Sequence, residues 1–189
     1  MKTNYTNLPI FPLSVFLLPE GMTKLRIFEP RYLKMVSIAS KGQGFVIWPK
    51  GDKKSISDSP WGSWVEIINF DKAEDGLLEI DVKCKSLIMI KSLETDNQNL
   101  HYGDVTEITH WSQTKVDRSI SELSLCLEDV FDNNEFLDEL YPEKILNSPS
   151  WVISRWLELL PINLDIKASF VVEHNFEEAK DFVQSVINK

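Results

Sequence analysis

The spacing of apolar residues changes near residue 112, and this change constrains the fold more than any other feature of the chain. Up to residue 111, short apolar runs are separated by prolines, glycines and polar turns, which is typical of β-strands. From residue 112 onward, apolar residues recur every three or four positions, as they do on one face of an α-helix. We therefore predict an α+β protein with a β-rich subdomain over residues 1–111 and an acidic helical subdomain over residues 112–189.

The β-rich part is predicted to contain about six strands and one short helix. These strands are expected among seven short apolar runs: residues 10–18, 24–28, 45–48, 64–70, 77–82, 87–90 and 105–110. Asp75-Gly76 has the sequence of a hairpin turn. The helix is predicted to begin at Glu29-Pro30, where an N1 proline is favourable, and to end at Gly42. Strands of this kind around one small helix indicate a twisted sheet that closes into a barrel.

The second part of the chain has the start signals of several helices. Ser119 and Glu122 have capping-box spacing, Ser148-Pro149 is predicted to begin another helix, and Asn175 precedes a last one. A short helix is predicted over residues 164–172. Residues 111–189 hold 7 Lys+Arg and 15 Asp+Glu, so they carry most of the net charge of −9. An acidic surface repels phosphate groups, which argues against electrostatic binding of nucleic acid.

A proline-rich motif opens the chain. Its residues are Leu8, Pro9, Ile10, Phe11, Pro12, Leu13, Pro19, Gly21, Phe28, Glu29, Pro30, Arg31 and Tyr32. The motif resembles the start of the substrate-binding domain at the N-terminus of Lon-type ATP-dependent proteases. The resemblance implies a PUA-like β-barrel of about six strands with one short helix, followed by a C-terminal α-helical bundle. It also implies a stand-alone domain without the ATPase and protease domains.

Physical chemistry gives the motif residues structural roles. Pro12 and Pro19 fix φ at the two ends of a strand, and Gly21 is predicted to adopt a positive φ in a turn. Glu29 is predicted to accept hydrogen bonds from free N–H groups at the start of the helix. The alternative is that Glu29 and Arg31 form a peptide-binding pair.

The sequence departs from the Lon pattern at three positions. Cys84, Leu87 and Ile88 align roughly with a glycine, an arginine and a phenylalanine that the family usually has. A positive φ at the glycine position would strain Cys84. Any function that the family assigns to the arginine is therefore in doubt for this chain.

Catalytic and metal-binding motifs are not found in the sequence. There is no G-x-x-x-x-G-K-[ST] loop for ATP and no G-x-S-x-G nucleophile motif, so we predict neither an enzyme nor a cofactor. His101, His110 and His174 lack metal-ligand spacing. A third hypothesis for the function is a small hydrolase in which Cys84 and a histidine form a nucleophile pair. Glu79 and Asp81 share one face of a strand and are predicted to be solvated carboxylates.

Three tryptophans, Trp48, Trp61 and Trp64, flank a polar loop at residues 49–60. Loops on a rigid scaffold often carry binding sites, and Trp is enriched in binding hot spots. We predict that these three rings form a peptide-binding pocket, the alternative being a small hydrophobic cluster that folds the loop over the barrel. Lys50, Lys53 and Lys54 beside the rings would suit single-stranded RNA.

We therefore predict a non-catalytic module that binds unfolded polypeptide or a partner protein, with a protease system among the candidate partners. The alternative is a small RNA-binding barrel of the PUA-like kind, which the acidic charge disfavours. No apolar run has the length of a membrane span, and the N-terminus lacks a signal peptide. Cys84 and Cys126 form no paired motif, so we expect free thiols and a cytoplasmic location.

Overall fold

The computed structural model describes residues 3–49, 60–111, 120–171 and 175–187. The chain divides into two compact units, residues 1–108 and residues 109–189. In the described ranges there are seven strands, all in the first unit, and six α-helices, five of them in the second. The predicted α+β class is thereby confirmed. The predicted boundary after residue 111 adjoins residues outside the described ranges and stays a prediction.

The first unit is a small β-barrel. Its strands are β1 (Asn4–Pro12), β2 (Met22–Ile27), β3 (Phe45–Trp48), β4 (Trp61–Lys72), β5 (Leu78–Ile90), β6 (Glu94–Thr95) and β7 (His101–Ile108). The strands follow the order β2-β5-β4-β3-β1-β7-β6, and a further pairing of β5 with β7 joins β5, β4, β3, β1 and β7 into a closed ring. All pairs are antiparallel except β1 with β3. The predicted barrel is thus present.

Two strand predictions are corrected by the structure. The strand predicted over residues 10–18 begins earlier, at Asn4, and ends at Pro12, because Pro12 has no N–H to continue a ladder. The two strands predicted over residues 77–82 and 87–90 are one strand, β5. The hairpin turn at Asp75-Gly76 is confirmed, with a φ of 85° at Gly76.

The helix of the barrel unit, α1 (Pro30–Ile38), begins at the predicted proline and buries Tyr32, Met35 and Val36. It continues as a π-helical turn (Ala39–Gln43). Gly44 follows with a φ of 63°, and a Cβ there would lie 2.4 Å from the Val65 carbonyl oxygen. Glycine is therefore required where the chain leaves the helix and enters β3.

Two backbone expectations are wrong. The residue with positive φ in the turn after Pro19 is Glu20, at 68°, whereas Gly21 is not in the left-handed region. Gly21 is buried in this turn, its carbonyl accepting from the Cys84 N–H at 2.8 Å. Cys84 itself has no positive φ. Instead, the pairing of β4 with β5 shifts by one residue beside it, since Trp64 is opposite Ser86 and Val65 is opposite Cys84. Leu87 and Ile88 are fully buried, where an arginine would need a charged partner.

The second unit contains α2 (Ser121–Asp132), α3 (Glu135–Leu140), α4 (Pro149–Leu159), α5 (Leu164–Ser169) and α6 (Phe176–Ile187). The Ser148 hydroxyl caps α4 by accepting from the Trp151 N–H, as its sequence predicts. The N-cap of α2 is Ile120, without a side-chain cap; Ser119 of the predicted capping box lies outside the described residues. The helix predicted over residues 164–172 is α5, which ends at Ser169.

The core of the second unit is aromatic and contains a buried charge. The rings of Phe131, Tyr141 and Trp151 contact one another, with centroids 5.1–6.1 Å apart. The Arg155 side chain is 1% exposed, and its Nε lies 2.7 Å from the Glu158 carboxylate. The guanidinium also lies 5.5 Å from the Trp151 ring centre. A buried charge is tolerated because it is paired and in contact with aromatic faces.

Candidate functional site

Trp64 lies on β4 at the point where pairing with β3 ends. It is opposite Val46, its indole Nε1 donates to the Gln43 carbonyl at 3.0 Å, and its ring stacks on Tyr5 with centroids 4.8 Å apart. The ring remains partly exposed. Trp64 is therefore held in one orientation by the π-helical turn and by β1 while part of its surface faces solvent.

Trp48 and Tyr5 lie on the same side of the sheet as Trp64. All three pack against one buried cluster made of Leu8, Ile10, Val46, Ile88, Ile90 and Val105. Partial burial, and to a smaller extent the carboxylates of Glu107 and Glu66, raise the pKa of Tyr5 above its ordinary value. Its phenol therefore stays neutral and can donate a hydrogen bond at physiological pH.

Trp61 lies on the opposite face of β4. It precedes Trp64 by three positions without a register shift between them, and residues at odd spacing in a strand face opposite sides. Its ring contacts Phe16 edge to face, with centroids 5.8 Å apart. The structure thus brings Trp48 and Trp64 together and separates Trp61 from them. The loop between Trp48 and Trp61, with Lys50, Lys53 and Lys54, lies outside the described residues.

Beyond Trp64, one edge of β4 has no strand partner among the described residues. β3 pairs with β4 only from Ser63 to Val65, whereas β4 continues to Lys72 along β5. Ile68 and Phe70 on this segment are about half exposed. A register shift between Ile67 and Asn69 interrupts the edge, as bulges do on strands that must not pair indiscriminately.

The motif of residues 8–32 divides into a buried and an exposed part. Phe11 packs on Tyr32, with ring centroids 4.2 Å apart, and Pro9 is also buried. Pro12, Leu13 and Pro19 are partly buried beside β1 and the turn that follows. Phe28, in contrast, is 67% exposed.

Arg31 joins the start of α1 to the turn between β6 and β7. Its Nε and Nη2 each lie 2.8 Å from the Glu29 carboxylate, and its Nη1 donates to the Asn99 carbonyl at 3.1 Å. The prediction that the Glu29 carboxylate caps α1 is wrong, because Arg31 occupies it and no side-chain cap is formed. Nearby, Lys34 and Asp96 form a second ion pair at 2.7 Å.

An open cleft of about 440 Å³ lies beside these contacts. Glu29, Pro30 and Arg31 form one side, and Gln98 and Asn99 form the other. Sequence reasoning missed this cleft because its two sides are nearly 70 positions apart. The one local signal of this turn is the asparagine itself. Asn99 has a φ of 61°, and asparagine tolerates the left-handed region.

The hypothetical hydrolase residues have other partners. Cys84 is fully buried and its sulfur lies 3.5 Å from the Ser86 carbonyl. His101 contacts the Thr95 hydroxyl and His110 the Val171 carbonyl; His174 lies outside the described residues. Within the ranges that the structure describes, no three His, Cys, Asp or Glu side chains gather as a metal site.

The prediction that the carboxylates of Glu79 and Asp81 are solvated is wrong, because the two side chains are only 19% and 14% exposed. Asp81 pairs with Lys24 at 2.9 Å, and Glu79 with Arg26 at 3.5 Å. Cross-strand pairs of this kind stabilise the sheet and leave neither carboxylate in an acid–base arrangement.

None of the helices in the described ranges has the length and apolar character required to cross a membrane.

Comparison with known proteins gives one family and one fold. The model of the ATP-dependent protease La (LON) substrate-binding domain matches residues 7–188. A crystal structure of a Lon N-terminal domain protein from Xanthomonas campestris is 25% identical, with a TM-score of 0.72, and the match covers 96% of this chain and 98% of that one. The N-terminal domain of a Mycobacterium avium complex Lon protease is 13% identical, with a TM-score of 0.64, over 95% and 96% of the two chains. No curated protein matches the sequence.

Proposed function

Because the chain belongs to the family of ATP-dependent protease La (LON) substrate-binding domains, we propose that it is a non-catalytic module that binds unfolded polypeptide segments or a partner protein. The observation that carries the proposal is the Trp64–Tyr5 pair, two rigidly held and partly exposed rings at the start of an unpaired strand edge. Such a surface offers apolar contact at little cost in side-chain entropy.

The binding mode that fits this geometry is strand addition to β4. An extended peptide would form main-chain hydrogen bonds with the unpaired edge, and alternate side chains would contact the exposed apolar groups. The bulge at Ile68 disturbs the ladder, so we expect pairing with residues 69–72. Phe70 would contact the peptide there, while Trp64 and Tyr5 would receive a side chain from its other end.

Trp48 belongs to the proposed site because it packs against the same cluster as Trp64. Trp61 faces the other side of β4 and is assigned no contact with the same peptide.

The proposal includes a protease system as a candidate partner of the chain. Cys84 and Cys126 are not joined in a disulfide, which is consistent with the proposed cytoplasmic location.

Single tryptophan variants test the site. The probe is fluorescein-labelled lactalbumin that has been reduced and carboxymethylated so that it stays unfolded, and binding is measured by fluorescence anisotropy. We expect Trp64→Ala to weaken binding about tenfold and Trp61→Ala to leave it within about twofold. Equal losses in both variants, or full affinity in both, would contradict the proposed site.

Charge on the strand edge tests the binding mode. Phe70→Lys places a cation on an edge that a peptide must approach, which is how natural proteins discourage strand pairing. We expect weaker binding of the unfolded probe, whereas the matched control Leu125→Lys, on the exposed face of α2, should bind as the wild type does. Tight binding of a short RNA together with no binding of the unfolded probe would favour the RNA-binding alternative.

A further inference from the structure

The cleft between the start of α1 and the β6–β7 turn is distinct from the Trp64 surface. Glu29, Pro30 and Arg31 line one side, Gln98 and Asn99 line the other, and the volume is about 440 Å³. The cleft is open to solvent, so it suits an extended segment that lies across it rather than an enclosed small molecule. Its two sides are joined by one hydrogen bond, from the Arg31 guanidinium to the Asn99 carbonyl.

The charges at the cleft are neutralised from within the protein. Arg31 contacts one oxygen of the Glu29 carboxylate, Oε2, through both Nε and Nη2, and Lys34 is bound to Asp96. The Lys34 hydrogen bond, followed by the N–H of Leu100, lowers the pKa of Asp96 below its ordinary value. Each charge is thus balanced by a neighbour of opposite sign, and neither an anionic nor a cationic ligand finds an unbalanced charge there.

The remaining groups suit an uncharged peptide. Gln98 and Asn99 are exposed, and each side-chain amide carries both a donor and an acceptor, as a peptide backbone does. Pro30 supplies an apolar wall. Phe28, which directly precedes Glu29, has the largest exposed fraction of the large hydrophobic residues described, 67%. Because Phe28 adjoins a lining residue of the cleft in the chain, its exposed ring is the candidate anchor for a ligand side chain.

We infer that this cleft is a second polypeptide-binding site, which takes an uncharged extended segment with an aromatic or branched aliphatic side chain. The side chain contacts Phe28 and Pro30, and the main chain of the segment bonds with the amides of Gln98 and Asn99. The inference rests on the proposed function, since the same unfolded chain would reach both this cleft and the Trp64 surface. Neutral groups on both sides of the contact avoid the desolvation of a charge.

Two variants remove the proposed contacts and keep the hydrogen bond from Arg31 to the backbone carbonyl of residue 99. Phe28→Ser deletes an exposed ring. Gln98→Ala combined with Asn99→Gly deletes both amides, keeps the Asn99 backbone carbonyl, and preserves the positive φ because glycine favours it. The control is Leu125→Ser, which removes an apolar side chain of similar exposure from α2. Circular dichroism and urea midpoints establish that each variant is folded.

The same unfolded lactalbumin serves as the probe. We expect Phe28→Ser and the Gln98/Asn99 variant each to weaken binding by about fivefold to tenfold, and the control to bind like the wild type. In the wild type, the backbone amide NMR signals of Gln98 and Asn99 should shift during titration with a blocked ten-residue peptide that has one central Phe and no charge.

The outcomes separate the two proposals. A wild type that binds the unfolded probe, with both cleft variants unchanged and the two amide signals unmoved, overturns the cleft and leaves the Trp64 surface standing. A wild type that does not bind the probe overturns both. Loss of affinity in the Leu125 control to the same extent would mean a nonspecific apolar effect and would also overturn the cleft.

Discussion

The six tryptophans divide evenly between the two units and have opposite environments. In the barrel, Trp48, Trp61 and Trp64 are partly exposed. In the helical unit, Trp151 and Trp156 are 4% and 6% exposed, and Trp111, also buried, stacks on His110 at 4.4 Å. The same side chain thus fills a core in one unit and remains accessible in the other.

The difference has a geometric origin. The aromatic groups of the helical unit pack against other helices, so their rings are enclosed from several directions. Trp61 and Trp64 lie on opposite faces of β4, and each ring is covered only where a neighbouring residue reaches it, Phe16 in one case and Tyr5 in the other. Burial makes the helical rings a source of stability, whereas partial exposure makes the barrel rings available for binding. The predictions below test this contrast.

The largest expected effect is that of Trp156→Ala. The ring is buried and its Nε1 donates to the Leu123 carbonyl at 3.0 Å, so its removal leaves a cavity and deletes one buried hydrogen bond. We expect the variant to lose about 3–5 kcal/mol of unfolding free energy, measured by urea denaturation followed by circular dichroism. If Trp64→Ala in the barrel costs as much as Trp156→Ala, the contrast between the two units is wrong.

Acid should selectively destabilise the helical unit through His110. Burial lowers the pKa of His110 from 6.5 to about 4, although the hydrogen bond to the Val171 carbonyl opposes the shift. The unfolded chain therefore takes up a proton at His110 below pH 6.5, while the folded chain does so only near pH 4. Stability should fall by about 3 kcal/mol as the pH drops through this window and be unaffected by this group above pH 6.5.

The measurement is a series of urea midpoints between pH 7 and pH 4. The control is His110→Gln, which keeps a hydrogen-bonding group but does not titrate, so its pH dependence should be smaller by the His110 contribution. Equal slopes in the wild type and in this variant would show that His110 does not set the acid sensitivity.

A smaller effect is expected for Trp64→Phe. The variant keeps a ring that can stack on Tyr5 but loses the indole donor to the Gln43 carbonyl. We expect a loss of about 1 kcal/mol in unfolding free energy, with binding of unfolded lactalbumin retained within about threefold. Abolished binding in a folded variant would indicate that the indole N–H, rather than the ring face, contacts the ligand.

The smallest effect on stability is expected for Phe28→Ser. The ring is mostly solvent-exposed, and substitutions at such positions usually change stability by less than about 0.5 kcal/mol. Thermal unfolding of the variant beside the wild type measures this. A loss above about 2 kcal/mol would mean that Phe28 packs as a structural residue, like Tyr32, and would remove the argument for an exposed anchor.

Features with a local physical cause could be predicted from the sequence. The proline at the start of α1, the Asp75-Gly76 turn and the Ser148 cap depend on neighbouring residues alone. The start of β1 could not be predicted in this way, because Asn4 and its polar neighbours form a strand through pairing with β7. The left-handed residue Glu20 was missed for a related reason: its N–H is bonded to the Cys84 carbonyl, a long-range contact.

The candidate site was predictable only in part. Trp48 and Trp64 lie on one side of the sheet, but Trp61, which precedes the strand predicted over residues 64–70, is the first residue of β4. Once both residues are on one strand, their odd spacing alone places Trp61 on the other face. The cleft between the start of α1 and the β6–β7 turn depends on a hydrogen bond between residues far apart in the chain. Such a contact produces no periodic pattern in the sequence.

The closed ring of strands has a kinetic consequence. β1 and β7 are neighbours, with Asn4 paired to Thr106, so the barrel cannot close until about a hundred residues have been synthesised. Contacts of such high sequence separation slow folding. During synthesis one edge of β1 can pair with β3, while its other edge must wait for β7, which the ribosome produces much later. The strand that begins the barrel is therefore the one that depends longest on protection from its surroundings.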